Sequence, residues 1–314
     1  MAKVSVIVPT FNRAPLIERA LKSVFEQTYR DYEVVVVDDG STDGTGKLLE
    51  KYNGAIKYVY QDNSGISAAR NRGIRESGGE YIAFLDSDDW WAADKLQEQV
   101  NVLASQPKVG IVYGRMPIIN DKGEQIGMKP SGVSGKNFRE LIEFWGDLPT
   151  STVMTRRECF DKAGTFDMDL VSMEDIDMWL RIARSYDLFE IEGKHLAYYY
   201  RHESQVTKNP VNVYEGLVKI YKKILENYPD VPAVLMNQRI AKTQYTLSRI
   251  YFDQKDYSKS LSNLLEVLLR YPLVGVLFFE PKDNIMAKTL KFGKPYVFWA
   301  VCSLRRGYAG IRSI

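Results

Sequence analysis

Asp86-Ser87-Asp88-Asp89 concentrates more potential chemistry than any other short stretch of this chain. It follows Tyr81-Ile-Ala-Phe-Leu85, a short apolar run set off upstream by Gly78 and Gly79, which reads as a strand buried on both faces. Carboxylates gathered at the end of a buried strand are unfavourable unless a cation or hydrogen-bond donors meet them. In an open parallel sheet that end is also where ligands bind. Hard divalent cations take oxygen ligands, and Mg2+ is typically held by one or two carboxylates plus substrate phosphates. Asp86 and Asp88 therefore suggest a metal–diphosphate site. The plainer reading makes Asp89 the cap of a helix beginning near Ala92 and leaves the other acids solvated.

A second acidic group, Glu174-Asp175 with Asp177, precedes Ile176, Trp179, Leu180 and Ala183 at helical spacing. Its carboxylates sit at a helix N-terminus, where the dipole stabilises them. Such a group is either an acidic first turn or a source of proton acceptors. The chain holds 2 histidines, His195 and His202, so histidine chemistry has few candidates. Its 2 cysteines, Cys159 and Cys302, are far apart, which is neither a disulfide framework nor a zinc motif and fits a reducing compartment.

The elements that must position these groups alternate in type. Strands are expected at Lys3 to Thr10, Tyr32 to Asp38, Ile56 to Tyr60, Tyr81 to Leu85 and Val109 to Gly114. Helices are expected from Pro15 to about Glu26, to Tyr52 with Ser41 or Asp43 as N-cap, after Asn63, and from Ala92 to Ser105. That alternation implies a parallel sheet with right-handed crossovers. The first strand exits into Pro9-Thr10-Phe11-Asn12-Arg13, with neither a G-x-G-x-x-G fingerprint nor a P-loop, so a bound diphosphate would need a metal to neutralise it. The pattern weakens from Arg115 to Ser134, with a turn at Asn120 to Glu124 and a glycine-rich stretch, Gly127 to Gly135, expected to be mobile. Further expected elements are a helix from Lys136 to Trp145, a strand from Pro149 to Thr155, a short helix ended by Gly164, and strands at Leu188 to Ile191 and Ala197 to Tyr200.

Beyond Lys208 the strands give out. We place a boundary near residue 210, dividing the chain into 1–210 and an all-α region, 211–314. Helices are expected at Val213 to Tyr228, Ala233 to Phe252 and Tyr257 to Tyr271. Leu247, Tyr251, Asp256-Tyr257 and Pro272, with Ser248 and Ser260 at small positions, have the spacing of one tetratricopeptide-like hairpin over about 241–272. A plain αα-hairpin packed on other surface is the simpler account. The tail, 288–314, mixes aromatic and basic residues, which suits an anionic membrane surface or a packed helix with basic ends.

Composition sets outer limits. At 314 residues, 45% hydrophobic and 26% charged, the chain reads as a soluble globular protein with a sizeable core. A formal net charge of +2 gives no argument for nucleic-acid binding. The N-terminal apolar run is too short for a signal peptide, and no run, Leu273 to Phe279 included, approaches the roughly 20 residues that span a bilayer.

Taken together, Val6-Ile-Val-Pro-Thr-Phe-Asn12, Val37-Asp-Asp-Gly-Ser-Thr-Asp43, Ala69-Arg-Asn-Arg-Gly73, Phe84-Leu-Asp-Ser-Asp-Asp-Trp90 and Glu174-Asp175 with Asp177 and Trp179 resemble the family 2 glycosyltransferases, inverting enzymes of the GT-A fold. Each string alone is weak; the set in this order is specific. The resemblance covers about residues 3–205 and implies nothing for the helical region. It implies an α/β, Rossmann-like, mostly parallel sheet. It implies Asp39 as the acid that hydrogen-bonds the nucleotide base, over a floor of Pro9 and Thr10. Asn63 and Arg70 would lie near the nucleoside and diphosphate, and Asn12 and Ser87 belong with them on the donor side. Asp86 and Asp88 match a D-x-D pair, the first contacting ribose or sugar and the second binding Mn2+ or Mg2+. Asp175 matches the catalytic base, with Glu174 beside it in the acceptor site. His202 resembles a residue that in some members touches metal or diphosphate.

Such a set can move a hexosyl or N-acetylhexosaminyl group. A divalent cation neutralises the departing diphosphate, and a carboxylate on the opposite face of C1 takes the acceptor proton, giving one in-line displacement with inversion. The implied donor is a nucleotide sugar, UDP-linked by expectation, and the implied acceptor a saccharide, lipid-linked or protein hydroxyl in surface polysaccharide or glycoconjugate synthesis. The expected setting is cytoplasmic, with peripheral contact at the inner membrane face and homo-oligomerisation left open. A nucleotidyltransferase, or a degenerate scaffold that binds nucleotide sugar without turnover, are the competing readings.

Overall fold

A computed structural model describes residues 2–129, 138–144, 148–202, 205 and 209–270. The chain divides after Gln205 into two compact units. The expected tail at 288–314, Cys302, the apolar run from Leu273 to Phe279, and residues 130–135 of the glycine-rich stretch lie outside the described residues.

The first unit is built on β1 (Val4–Thr10), α1 (Ile17–Phe25), β2 (Tyr32–Asp39), α2 (Thr45–Leu49), β3 (Lys57–Gln61), α3 (Ile66–Glu76), β4 (Tyr81–Phe84), β5 (Trp90–Trp91), α4 (Lys95–Ser105) and β6 (Val109–Arg115). It continues through β7 (Pro117–Ile119), β8 (Gln125–Met128), α5 (Phe138–Phe144), β9 (Met154–Arg156), α6 (Glu158–Ala163), α7 (Glu174–Ala183), β10 (Asp187–His195) and β11 (Ala197–Tyr200). Seven strands form the main sheet, in the order β10-β6-β9-β4-β1-β2-β3. β1 runs parallel to β2 and β4, β2 to β3, and β6 to β10. β9 alone is antiparallel, wedged between β4 and β6. This is the mostly parallel Rossmann-like sheet that the alternation implied.

The valine-rich strands explain the core. Every residue of β1 is buried, and β2 is buried from Val34 onward. Ile17, Ala20, Leu21 and Val24 form the inner stripe of α1 and share one apolar cluster with Val4, Val6, Val8, Val34 and Val36. α3 presents small residues because it lies close on β1 and β2. A Cβ on Gly73 would stand 2.4 Å from Ile7 Cγ2, so only glycine lets the helix approach this far.

Several differences from the sequence expectation matter. The helix placed at Ala92 starts at Lys95, and Asp89 is no cap but a buried residue behind it. The cap position of α2 is Gly44, at φ +92, rather than Ser41 or Asp43, although Asp43 Oδ1 still accepts from Thr45 N at 3.0 Å. The weakly patterned stretch after Arg115 is a hairpin, β7–β8, whose turn is stitched by Asn120 Oδ1 accepting from Lys122 N and Glu124 N, and Gly127 lies within it. The strand placed at Pro149 to Thr155 is first a 3-10 turn, Thr150–Thr152, and only then β9. β5, β11, β7 and β8 make a second, four-stranded sheet that the sequence reading did not contain.

The second unit contains α8 (Pro210–Asn227), α9 (Ala233–Asp253) and α10 (Tyr257–Arg270). α9 packs against both neighbours. Val218, Leu247 and Tyr251 form its apolar centre, with the Tyr251 hydroxyl donating to Glu215 Oε1 at 2.5 Å. Ser248 and Ser260 exchange hydroxyl-to-carbonyl bonds, each 2.8 Å, where α9 and α10 approach. This is an αα-hairpin with small residues at its crossing.

Candidate active site

Loops at the carboxyl ends of β1 and β2 are tied to one another. Asn12, at φ +52, donates its backbone N–H to Ser41 Oγ at 2.9 Å and accepts at Oδ1 from Thr42 N at 2.8 Å. Pro9 and Thr10 are the last, buried residues of β1, and the Thr10 hydroxyl has no hydrogen-bond partner among the described residues. Asp39 ends β2 with its carboxylate turned on the next loop: Oδ1 accepts from Gln61 Nε2 at 2.7 Å and Ser64 N at 2.9 Å, and Oδ2 from Gly65 N at 2.9 Å. Asn63 is exposed within that loop. Gly40, at φ +83, could not carry a Cβ, which would meet Asn63 N at 2.8 Å. Asp39 thus orders the segment it is expected to share with a base, and about one of its four acceptor positions is left over.

Arg70 joins the two acidic groups. It is 3% exposed, and donates through Nη1 to Glu174 Oε1 at 2.6 Å and through Nη2 to Asp86 Oδ1 at 2.9 Å. Burial works against its charge, but Asp86 and Glu174 outweigh it and hold the guanidinium charged. Burial also pushes the Asp86 carboxyl up, opposed by Arg70 and reinforced by the charge of Asp88. Burial, with Asp175 alongside, pushes the Glu174 carboxyl up to about 7 against the pull of Arg70.

Asp175 is the second residue of α7, beside Glu174. Its Oδ2 accepts from Thr150 Oγ1 at 2.8 Å and its Oδ1 from Ile176 N at 2.8 Å. Met173, immediately before the pair, is in the left-handed region at φ +66, a conformation that costs a non-glycine residue on the order of 1 kcal/mol or more. Asp177 pairs with Arg181 at 2.9 Å within the helix, a fixing role for an acid that the sequence grouped with the other two.

Asp88 and His202 meet although 114 residues separate them: His202 Nε2 lies 2.9 Å from Asp88 Oδ2. Arg13 Nε is 3.5 Å from the same oxygen. Burial opposes the Asp88 charge, but His202 and Arg13 hold its carboxyl below the usual range. The contact is an ordinary hydrogen bond, and its length is also about the spacing of neighbouring ligands on an octahedral cation at 2.0–2.1 Å, so the two side chains are close enough to share one ion in its place. Among the described residues no cluster of three or more metal-type side chains occurs. A cation held by this pair would have to take its remaining ligands from diphosphate and water.

Ser87 is buried in the turn between these acids. Asp89, behind it, accepts from Ser151 Oγ at 2.6 Å and from Tyr200 N at 3.1 Å, and burial next to the Asp88 and Asp86 charges pushes it well up. Ser151 Oγ also accepts from Asp86 N at 3.2 Å. Arg13, Arg19, whose Nη2 donates to the Asp88 carbonyl at 2.9 Å, Asp89, Thr150 and Ser151 are contributors that the sequence reading missed. Thr150 and Ser151 fall in the stretch mistaken for strand, so nothing local marks them. Asp89 carried a signal, an acid directly after D-x-D, which was read as a cap.

Residues 5–167, more than half of the chain, match the family model described as glycosyl transferase family 2. The chain is similar to the uncharacterized glycosyltransferase RT0329 of Rickettsia typhi, 28% identical over 90% of both chains. It is also similar to the Escherichia coli UDP-Glc:alpha-D-GlcNAc-diphosphoundecaprenol beta-1,3-glucosyltransferase WfgD, 28% identical over 83% of this chain and 97% of that one. Of three further rickettsial glycosyltransferases it spans only 30%, 43% and 33% of the length. Staphylococcus aureus TarS 1–349, solved with UDP-GlcNAc, shares the fold at a TM-score of 0.67 and 21% identity, over 98% of this chain and 92% of that one. The mannosyltransferase PcManGT of Pyrobaculum calidifontis, solved with GDP-Man and Mn2+, shares it at 0.58 and 22% identity, over 96% and 84%.

Proposed function

The chain belongs to glycosyl transferase family 2, and we propose that it moves a sugar from a UDP-sugar to an acceptor hydroxyl by a metal-assisted, inverting displacement. The observation that carries this reading is the Arg70 bridge, which draws the D-x-D acid Asp86 and the α7 acid Glu174 onto one guanidinium. That shared partner supports a single site with Asp86 on its donor side and Glu174 on its acceptor side.

Asp88 and His202 would hold a Mn2+ or Mg2+ ion, which supplies Lewis-acid neutralisation of diphosphate charge when bound. PcManGT, solved with Mn2+, supports that choice of ion. Asp86, fixed by Arg70, faces ribose or sugar as a hydrogen-bond acceptor. Asp39, Pro9, Thr10, Asn12, Asn63 and Ser87 hold the nucleoside and its neighbours. The unpartnered Thr10 hydroxyl supports a polar ligand there.

Asp175 acts as base. Thr150 and Ile176 N hold one lone pair on each of its oxygens, which fixes the carboxylate and leaves capacity to take a proton. As the acceptor oxygen bonds to C1, its proton passes to Asp175, the C1–O bond to diphosphate breaks and UDP leaves with that electron pair. Glu174 stands beside the base, where in its neutral form it can donate a hydrogen bond to the acceptor.

UDP as the carrier is supported by WfgD, whose name specifies UDP-Glc, and by the UDP-GlcNAc complex of TarS. WfgD acts on a diphosphoundecaprenol-linked sugar, which supports a lipid-linked saccharide as the acceptor here and work at the cytoplasmic membrane face. Among the described residues no helix is long and apolar enough to cross a membrane. The small residues Ser248 and Ser260 at the α9–α10 crossing are compatible with a tetratricopeptide-like pair, and a plain αα-hairpin remains the simpler account of it. The test is UDP release from a panel of UDP-sugars with Mn2+ and a lipid-diphosphate saccharide. Acceptor-dependent release, lost in Asp88→Ala, supports the reading; no release from any UDP-sugar with any acceptor contradicts it.

A further inference from the structure

A cation is threaded into the sheet that brings Asp88 to His202. Arg19, on α1, has its guanidinium carbon 4.0 Å from the centre of the Trp90 ring and 4.2 Å from that of Tyr200. Its Nη2 donates to the main-chain carbonyl of Asp88 at 2.9 Å. Tyr200 in turn stacks on the His202 ring, 5.5 Å between centres and 26° between planes. Trp90 is backed by Tyr198, stacked 5.3 Å away with the ring planes nearly parallel at 11°. One side chain therefore grips the backbone of Asp88 directly and the ring of His202 through a single intervening tyrosine.

The arrangement is specific to arginine. A planar guanidinium can lie between two rings and still project an N–H toward a carbonyl, whereas a lysine ammonium is a point charge. Its Nε is buried with no hydrogen-bond partner among the described residues. β5 is only two residues long and pairs with β11 at Trp91–Ala197 and Trp90–Tyr198. The Asp88 turn just before it is tied to the His202 segment by that short ladder and by Tyr200 N on Asp89, and the Arg19 clamp adds a third tie that bears on Asp88 itself.

We propose that Arg19 is a positioning residue for the Asp88–His202 pair, setting the separation at which the two side chains receive a cation. It acts through both and is no ligand itself. The proposal rests on the metal-assisted reading given above. A merely structural Arg19 would lower thermal stability and leave cation binding unchanged.

The test measures Mn2+ binding directly, from the paramagnetic resonance signal of free Mn2+ in the presence of UDP, for wild type, Arg19→Met and Arg19→Lys. Supporting residues around a metal are typically worth 10–100-fold in affinity. Arg19→Met should weaken Mn2+ binding by about that factor and raise the Mn2+ needed for half-maximal transfer equally. UDP binding without metal should stay within about twofold, and kcat at saturating Mn2+ should recover, since only the positioning of the metal ligands has changed. Arg19→Lys should recover part of the affinity. Unchanged Mn2+ affinity in folded Arg19→Met overturns the proposal. If that variant does not fold, Tyr200→Leu removes the link to His202 and keeps the Arg19 bond to Asp88; there too, unchanged affinity overturns it. Wild-type protein that takes up no Mn2+ with UDP defeats the metal reading itself, a failure visible before any substitution is made.

Discussion

Arg70 and Glu174 are 104 residues apart in the chain and 2.6 Å apart in space, with Arg70 on α3, which packs against β1 and β2, and Glu174 at the first position of α7. The same guanidinium holds Asp86 at 2.9 Å. Removing the cation would leave the buried Glu174 carboxylate and the half-buried Asp86 carboxylate without their shared counter-charge. Breaking a buried pair from one side costs about 3–5 kcal/mol. Arg70→Met should lower unfolding stability by that order, and Arg70→Lys, which cannot reach both acids in a fixed fork, should recover only part. Denaturant unfolding at neutral pH checks both; a loss under about 1 kcal/mol, the scale of an exposed pair, would show that the bridge is not formed.

Glu174 should leave a signature in stability against pH. Its carboxyl is raised from 4.5 to about 7 in the folded protein. Below about pH 4.5 folded and unfolded states both hold the proton, and above about 7 neither does; between them the folded state binds more protons. The contribution of this group is therefore greatest at low pH and is lost as pH rises to about 7, by about 3 kcal/mol at most. Glu174→Gln should remove that slope, so the difference between wild type and variant should change with pH only across this window. A difference independent of pH contradicts the raised carboxyl.

Asp175→Asn should keep donor binding within about twofold and cut transfer by roughly 10²–10⁴, the usual worth of a positioned base. UDP binding by calorimetry, beside initial transfer rates, separates the two. Parallel losses in both would remove Asp175 from the role of base.

Gly73→Ala should destabilise through packing alone. The new methyl would meet Ile7 at 2.4 Å, and overpacking of this kind costs about 1–3 kcal/mol. Ile7→Val in the same chain should recover part of the loss. If Ala is tolerated at no cost, α3 does not sit as close to β1 as described.

Much of this site was legible because an apolar strand running into Asp86-Ser87-Asp88 leaves its carboxylates in need of a cation or donors, and because Glu174-Asp175 precede a clear helical stripe. What was illegible depends on long-range pairing. Thr150, Ser151 and Thr152 have the β-branched, small character of a strand, yet they form a 3-10 turn so that Ser151 can reach Asp86 N and Asp89 while Thr150 reaches Asp175. Asp89 reads locally as a cap, but the β5–β11 ladder turns it inward to Tyr200 N. Arg19 looks like an ordinary polar position of an amphipathic helix, because its aromatic partners come from residues 90 and 200. No window of sequence contains both halves of these contacts.

The most direct measurement is thermal unfolding of wild type and Asp88→Ala with UDP, with Mn2+, and with both. A ligand at 100 times its dissociation constant adds about 2.7 kcal/mol, a readily seen shift. The predicted result is a shift with UDP and Mn2+ together that far exceeds either alone in wild type and disappears in Asp88→Ala. Equal stabilisation of both proteins, or none in either with UDP and Mn2+ together, contradicts metal-assisted transfer at this site.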